Sequence, residues 1–129
     1  MTEPIWLSVD LIVDIHSEQL ALFGGPSGIR DIGLLESAMM RPLNRYNYGE
    51  EDLAALAASY AFGLARNHPF IDGNKRAAFA AFIVFLGFNG ISFRVPPQHA
   101  TASILALAAG EIDETGFTRW VKENWPGAA

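Results

Sequence analysis

The chain of 129 residues is half hydrophobic and 18% charged, enough apolar material for one globular domain over 1–129 with a real core. Its nine Lys and Arg against fourteen acids leave a net charge of −5 and no basic stripe, which argues against direct nucleic-acid binding through phosphates. There is no cysteine, so disulfides and thiolate chemistry are excluded.

The first ten residues lack the basic start and apolar core of a signal peptide. The longest apolar run, twelve residues at 77–88, is too short to span a bilayer. The expectation is a cytoplasmic protein with no membrane partner.

From Ser8 to about Phe23, apolar residues at Val9, Leu11, Ile12, Ile15, Leu20, Leu22 and Phe23 recur near helical spacing, with Ser8 as N-cap. His16 reads as a helix histidine hydrogen-bonded at the edge of the core rather than as a catalytic group. Gly24-Gly25-Pro26-Ser27-Gly28 is a breaker cluster and predicts a loop to Arg30. Asp31 then caps a second helix, carrying Leu34, Leu35, Ala38 and Met39, that ends before Pro42. Leu43 to Gly49 reads as a connection. Glu50, Glu51 and Asp52 open a longer helix to Asn67, closed by Arg66. Its Leu53, Leu56, Ala57, Tyr60 and Leu64 face the core.

The stretch 68–76 gathers a titratable imidazole, a carboxylate, an amide and two cations. Pro69 breaks the chain and Phe70 plugs into the core, which holds His68 and Asp72 in place. From Ala77 to Phe88 every residue is apolar or Gly, and the run reads as a helix buried on all sides. The polar cluster therefore lies at a core helix's N-terminus, where unpaired N–H groups and the dipole favour an anion. Gly73 permits a tight turn, Asn74 is a good N-cap, and Lys75 and Arg76 add positive charge that a phosphate would balance. Asp72 would repel that phosphate unless Mg²⁺ lay between them. His68 supplies a base.

Gly87 and Asn89-Gly90 end this helix, and Ile91 to Val95 reads as extended before Pro96-Pro97. Helical patterns follow at Gln98 to Ala109, closed by Gly110, and at Asp113 to Trp125, with Phe117, Trp120 and Val121 on one face. The fold class is all-α, five to seven helices around Ala77 to Phe88, with strand content limited to a small β-hairpin.

His68-Pro69-Phe70-Ile71-Asp72-Gly73-Asn74-Lys75-Arg76 resembles the signature of the Fic/Doc superfamily, and Lys75 matches its Doc (death on curing) branch. Gly28-Ile29-Arg30-Asp31 with Gly33 to Ala38, and Ala57 to Asn67 running into His68, are also similar to Doc-type toxins. The likeness covers residues from about 16 to about 90. It implies a compact helical bundle and a toxin of a toxin-antitoxin pair. ATP and Mg²⁺ are the implied cofactors, and the implied target is a Ser or Thr of a translation component such as elongation factor Tu. The implied antitoxin is of the Phd kind, its disordered tail folding as a helix into a groove near the site. A flap at Gly28, Ile29, Arg30 and Asp31 would line up the target by edge pairing.

In this reading His68 accepts a hydroxyl proton and Asp72 holds Mg²⁺. Arg76 and the amides at Gly73 to Lys75 stabilise phosphate oxygens, with Asn74 as a further donor and Lys75 as a point charge. Most adenylylating Fic proteins have Gly where this chain has Lys75 and a second Arg where it has Phe79. Both departures favour phosphorylation over AMP transfer, which stays as the alternative, beside an idle domain that only binds a partner helix. Ala77 stands where Thr often follows the Arg.

Overall fold

The computed structural model describes residues 2–127. These contain six helices, α1 (Val9–Phe23), α2 (Ile32–Asn47), α3 (Leu53–Asn67), α4 (Asn74–Phe88), α5 (Pro97–Ala109) and α6 (Glu114–Glu123). Ser8 and Asp31 cap as read from sequence, accepting from the Leu11 and Leu34 N–H groups. Asp52 and Asp113, read as helical residues, instead precede their helices as N-caps and accept from Ala54 and Gly116.

The helix at the centre is α3, which packs on α2, α4, α5 and α6. From Ala54 to Ala65 all of its side chains except Phe62 are buried. Its small residues make this possible, since Ala54, Ala57, Ala58, Ala61 and Gly63 let neighbouring backbones come close. A Cβ on Gly63 would lie only 3.1 Å from Ala38 Cα of α2. The expectation that the 77–88 helix is buried on all sides is corrected. Ala77, Ala78, Ala81, Phe82, Phe85 and Leu86 are buried, but Phe79, Ala80, Ile83 and Val84 are half-covered and face an open groove.

The second helix also departs from expectation, because it continues through Pro42 to Asn47. A helix-interior proline forfeits the bond to the carbonyl four residues earlier, here Ala38, whose oxygen lies against Gly63 of α3. Burial of Pro42 and polar staples on either side of it hold the last turns. Arg41 forks onto Glu114 with bonds of 2.9 and 2.8 Å, and Arg45 bonds Ser59 at 2.6 Å and Glu50 at 3.2 Å. Burial pushes the Glu114 carboxyl up, yet Arg41's hydrogen bonds and the charges of Arg41 and Arg45 outweigh it, leaving the group below its ordinary value. Residues 91–95 form no strand. Phe93 is instead buried edge-on to Phe82, with ring centroids 5.1 Å apart.

Candidate active site

The loop between α3 and α4 carries the polar cluster, and it is pinned from three directions. On one side the 28–31 segment pairs with it through a single antiparallel bridge, Ile29 to Phe70. Arg30 N–H donates to Pro69 O at 2.7 Å and Ile71 N–H to Gly28 O at 3.1 Å. The Arg30 guanidinium adds bonds to His68 O at 2.7 Å and Asn67 O at 2.8 Å. The expected hairpin is thus one bridge among the described residues, made with the motif loop itself. In an antiparallel pair with these bonds, the N–H and C=O of Ile29 point away from Phe70. That outer edge is what remains for an extended partner.

At the far end of the loop, Asn74 departs from its sequence reading. Gly73, at φ +76°, occupies the N-cap position and no side chain caps α4. Asn74 is the first helical residue, and its buried amide folds back onto Phe70, accepting from Phe70 N–H at 2.9 Å and donating to Phe70 O at 3.0 Å. Its side chain is committed to closing the loop, so only its backbone N–H faces outward along the helix axis. The first bond of the helix runs from Ala77 N–H to Gly73 O at 2.9 Å. The amides of Asn74, Lys75 and Arg76 precede it and have no intrahelical partner.

From below, α1 supports the turn. His16 is 3% exposed, its ring lies parallel to Phe70 with centroids 3.7 Å apart, and its Nε2 is 2.7 Å from the Asp72 carbonyl oxygen. A carbonyl only accepts, so Nε2 carries the proton in this bond. The 24–28 loop comes equally close. A Cβ on Gly25, at φ +118°, would collide with the Asp72 carboxylate, which explains a glycine there.

His68 caps α3 in the left-handed conformation, φ 49° and ψ 54°, the one non-glycine residue with positive φ among those described. Such a backbone costs about 1–3 kcal/mol and persists where its surroundings impose it; here Arg30 grips the His68 carbonyl and Pro69 is buried behind it. The imidazole is exposed at the junction of two depressions. The larger, about 1030 Å³, runs along the open face of α4 against Ile104 and Leu105 of α5 and takes in Asp72, Gly73, Lys75 and Arg76. The smaller, about 460 Å³, lies between His68, Lys75 and Glu111.

Asp72, Lys75 and Arg76 are exposed and, among the described residues, take part in no ion pair. Arg76 instead lies over the Phe23 ring, its Cζ 4.6 Å from the centroid. Phe79 packs on Phe82 and lines the groove with hydrocarbon. No group of three or more His, Asp or Glu side chains converges on a metal position among the described residues. One exposed carboxylate beside bare helix amides suits Mg²⁺ carried in by a nucleotide, an ion held by one or two carboxylates plus phosphates, and does not suit an all-protein metal cage.

The structure therefore brings His68, Asp72, Gly73, Lys75 and Arg76 together around one groove end, with Pro69 and Phe70 buried beneath. Arg66, in the last turn of α3, points to Phe62 and Gly110. His16 is hydrogen-bonded at the edge of the core, as its place in an apolar helical stripe predicts, but its loop partner, and the loop contacts of Gly25 and Arg30, were not legible in the sequence.

A family model described as Fic/DOC family matches residues 6–86. The chain is 34% identical over 107 residues to "Protein kinase doc" of Escherichia phage P1, covering 82% of this chain and 84% of that protein. It is 46% identical over 81 residues to "Toxin Doc" of Mycolicibacterium smegmatis, covering 60% of this chain and 62% of that protein.

Proposed function

Because the chain belongs to the Fic/DOC family, we propose that this Doc-type toxin is a protein kinase that transfers the γ-phosphate of ATP to a Ser or Thr hydroxyl, with elongation factor Tu as the expected target. The observation that carries the reading is the pairing of an exposed, conformationally imposed His68 with an uncapped α4 N-terminus. The kinship with a protein named a kinase supports the same choice.

The target hydroxyl attacks the γ-phosphorus while His68 takes its proton; a new oxygen–phosphorus bond forms, the β–γ bridging bond breaks, and ADP leaves with that pair of electrons. The amides of Asn74, Lys75 and Arg76 are aimed where phosphate oxygens gather charge, and they need no reorganisation during the step. Arg76 and Lys75 add positive charge beside them. Asp72 is the residue that would hold Mg²⁺, which when bound neutralises phosphate charge. The free outer edge of Ile29 offers the target an extended docking strand. Phe79 favours phosphate over AMP transfer, because it offers hydrocarbon where a second guanidinium would clamp the triphosphate tail.

The groove supports a regulatory partner as well. Its apolar floor of Ala80, Ile83, Val84 and Ile104 ends at Asp72 and Arg76, so an amphipathic helix of a Phd-type antitoxin fits there and covers the site. Expression of His68→Ala tests the chemistry. Loss of growth inhibition with the fold retained supports catalysis, and retained inhibition overturns it in favour of simple helix binding.

A further inference from the structure

We infer that His16 is a positioning residue for the proposed transfer, its Nε2–H on the Asp72 carbonyl and its ring on Phe70 fixing the turn that presents the Asp72 carboxylate and the α4 amides. This rests on the kinase reading of the site. His16 lies on α1, 56 residues away in sequence from the group it holds. It spends its Nε2 donor on the backbone of the Asp72–Gly73 turn, and Gly73 packs directly on it, with a built Cβ 3.5 Å from Nε2.

The choice of residue type carries the argument. Covering Phe70 requires only an apolar side chain, and a buried imidazole is costlier to desolvate than Leu or Met. The imidazole brings in addition one directed hydrogen bond, placed where φ is positive and no α4 cap exists. The other restraints act elsewhere, Arg30 at residues 67–69 and Asn74 at Phe70. His16 is the side chain that hydrogen-bonds the Asp72 backbone among the described residues. Displacement of a catalytic group by about 1 Å can cost a hundredfold in rate, and this bond sets where Asp72 stands.

The test compares His16→Phe, which keeps the stack without the donor, with His16→Gln, whose amide N–H can reach the same carbonyl. Three readouts are taken: kcat and KM for phosphorylation of elongation factor Tu, Mg-ADP affinity by calorimetry, and hydrogen exchange of the Phe70 amide without nucleotide. For His16→Phe, kcat falls about 100-fold with the KM for the protein target unchanged, Mg-ADP binds more weakly, and Phe70 exchanges faster. His16→Gln recovers most of each. Wild-type behaviour of His16→Phe, or equal defects in both variants, overturns the inference. Failure of both variants to fold, by circular dichroism, also overturns it and assigns His16 to stability. Should the wild-type protein transfer no phosphate while Phe70 exchange and its rescue behave as stated, the kinase reading fails and the loop-positioning role stands.

Discussion

Replacing Asn74 with Ala removes both bonds between its amide and the Phe70 backbone, at 2.9 and 3.0 Å. The site is buried, with Asn74 only 7% and Phe70 1% exposed, so water cannot readily take over. Each backbone group left without a partner costs about 1–3 kcal/mol, and partial relaxation of the loop brings the sum to roughly 2–4 kcal/mol. For a chain of this size the corresponding loss in melting temperature is on the order of 10 °C. Asn74→Asp keeps the acceptor for Phe70 N–H but sets an oxygen against Phe70 O, so it does not rescue. Thermal melts followed by circular dichroism read both variants, and Phe70 amide exchange locates the damage. An Ala variant melting within about 1 °C of wild type would show that the amide does not hold the loop, which would refute the reasoning.

Gly25→Ala meets the Asp72 carboxylate and a φ of +118°; it should cost about 1–3 kcal/mol and weaken Mg-ADP binding in calorimetry, whereas the same change at the uncrowded Gly87 should leave nucleotide affinity unchanged. Gly63→Val pushes into Ala38 at the α2–α3 contact, and overpacking of about 1–3 kcal/mol should appear as a lower urea midpoint. Glu114→Gln breaks the fork from Arg41, and since the Arg41 side chain is 42% exposed a discounted loss of about 1–2 kcal/mol is expected at neutral pH. The folded-state carboxyl titrates below its ordinary value of 4.5, so its stabilisation is present above that value and disappears as pH falls through the folded one. The melting gap between wild type and Glu114→Gln should therefore close in acid, and a gap independent of pH would contradict the ion-pair account.

Local signals in the sequence were sufficient for most helix boundaries to within a few residues. Ser8 and Asp31 cap where their chemistry predicts, Asp52 and Asp113 mark their helix starts as caps rather than as helical residues, and Gly110 ends α5 in the left-handed conformation. What sequence could not reveal depended on distant partners. Pro42 reads as a stop signal because its cost is local, while its compensation comes from α3 and α6. The apolar run of α4 looked buried all round because hydropathy does not distinguish a face covered by a neighbouring helix from one that lines an open groove. Asn74 has the right chemistry for an N-cap, and only the fold reveals that its amide is taken by Phe70. The candidate constellation itself was legible because His68, Asp72, Gly73, Lys75 and Arg76 fall on one loop and one helix turn. Its supports, His16, Gly25 and Arg30, lie 37 or more residues away from the backbone they hold or the carboxylate they clear, beyond any local pattern.

The central claim is tested most directly by the intact mass of elongation factor Tu after incubation with this protein and Mg-ATP, beside a His68→Ala control. The account predicts a gain of one phosphate that the control lacks. A gain of one AMP, or a phosphate gain that persists without His68, would contradict it.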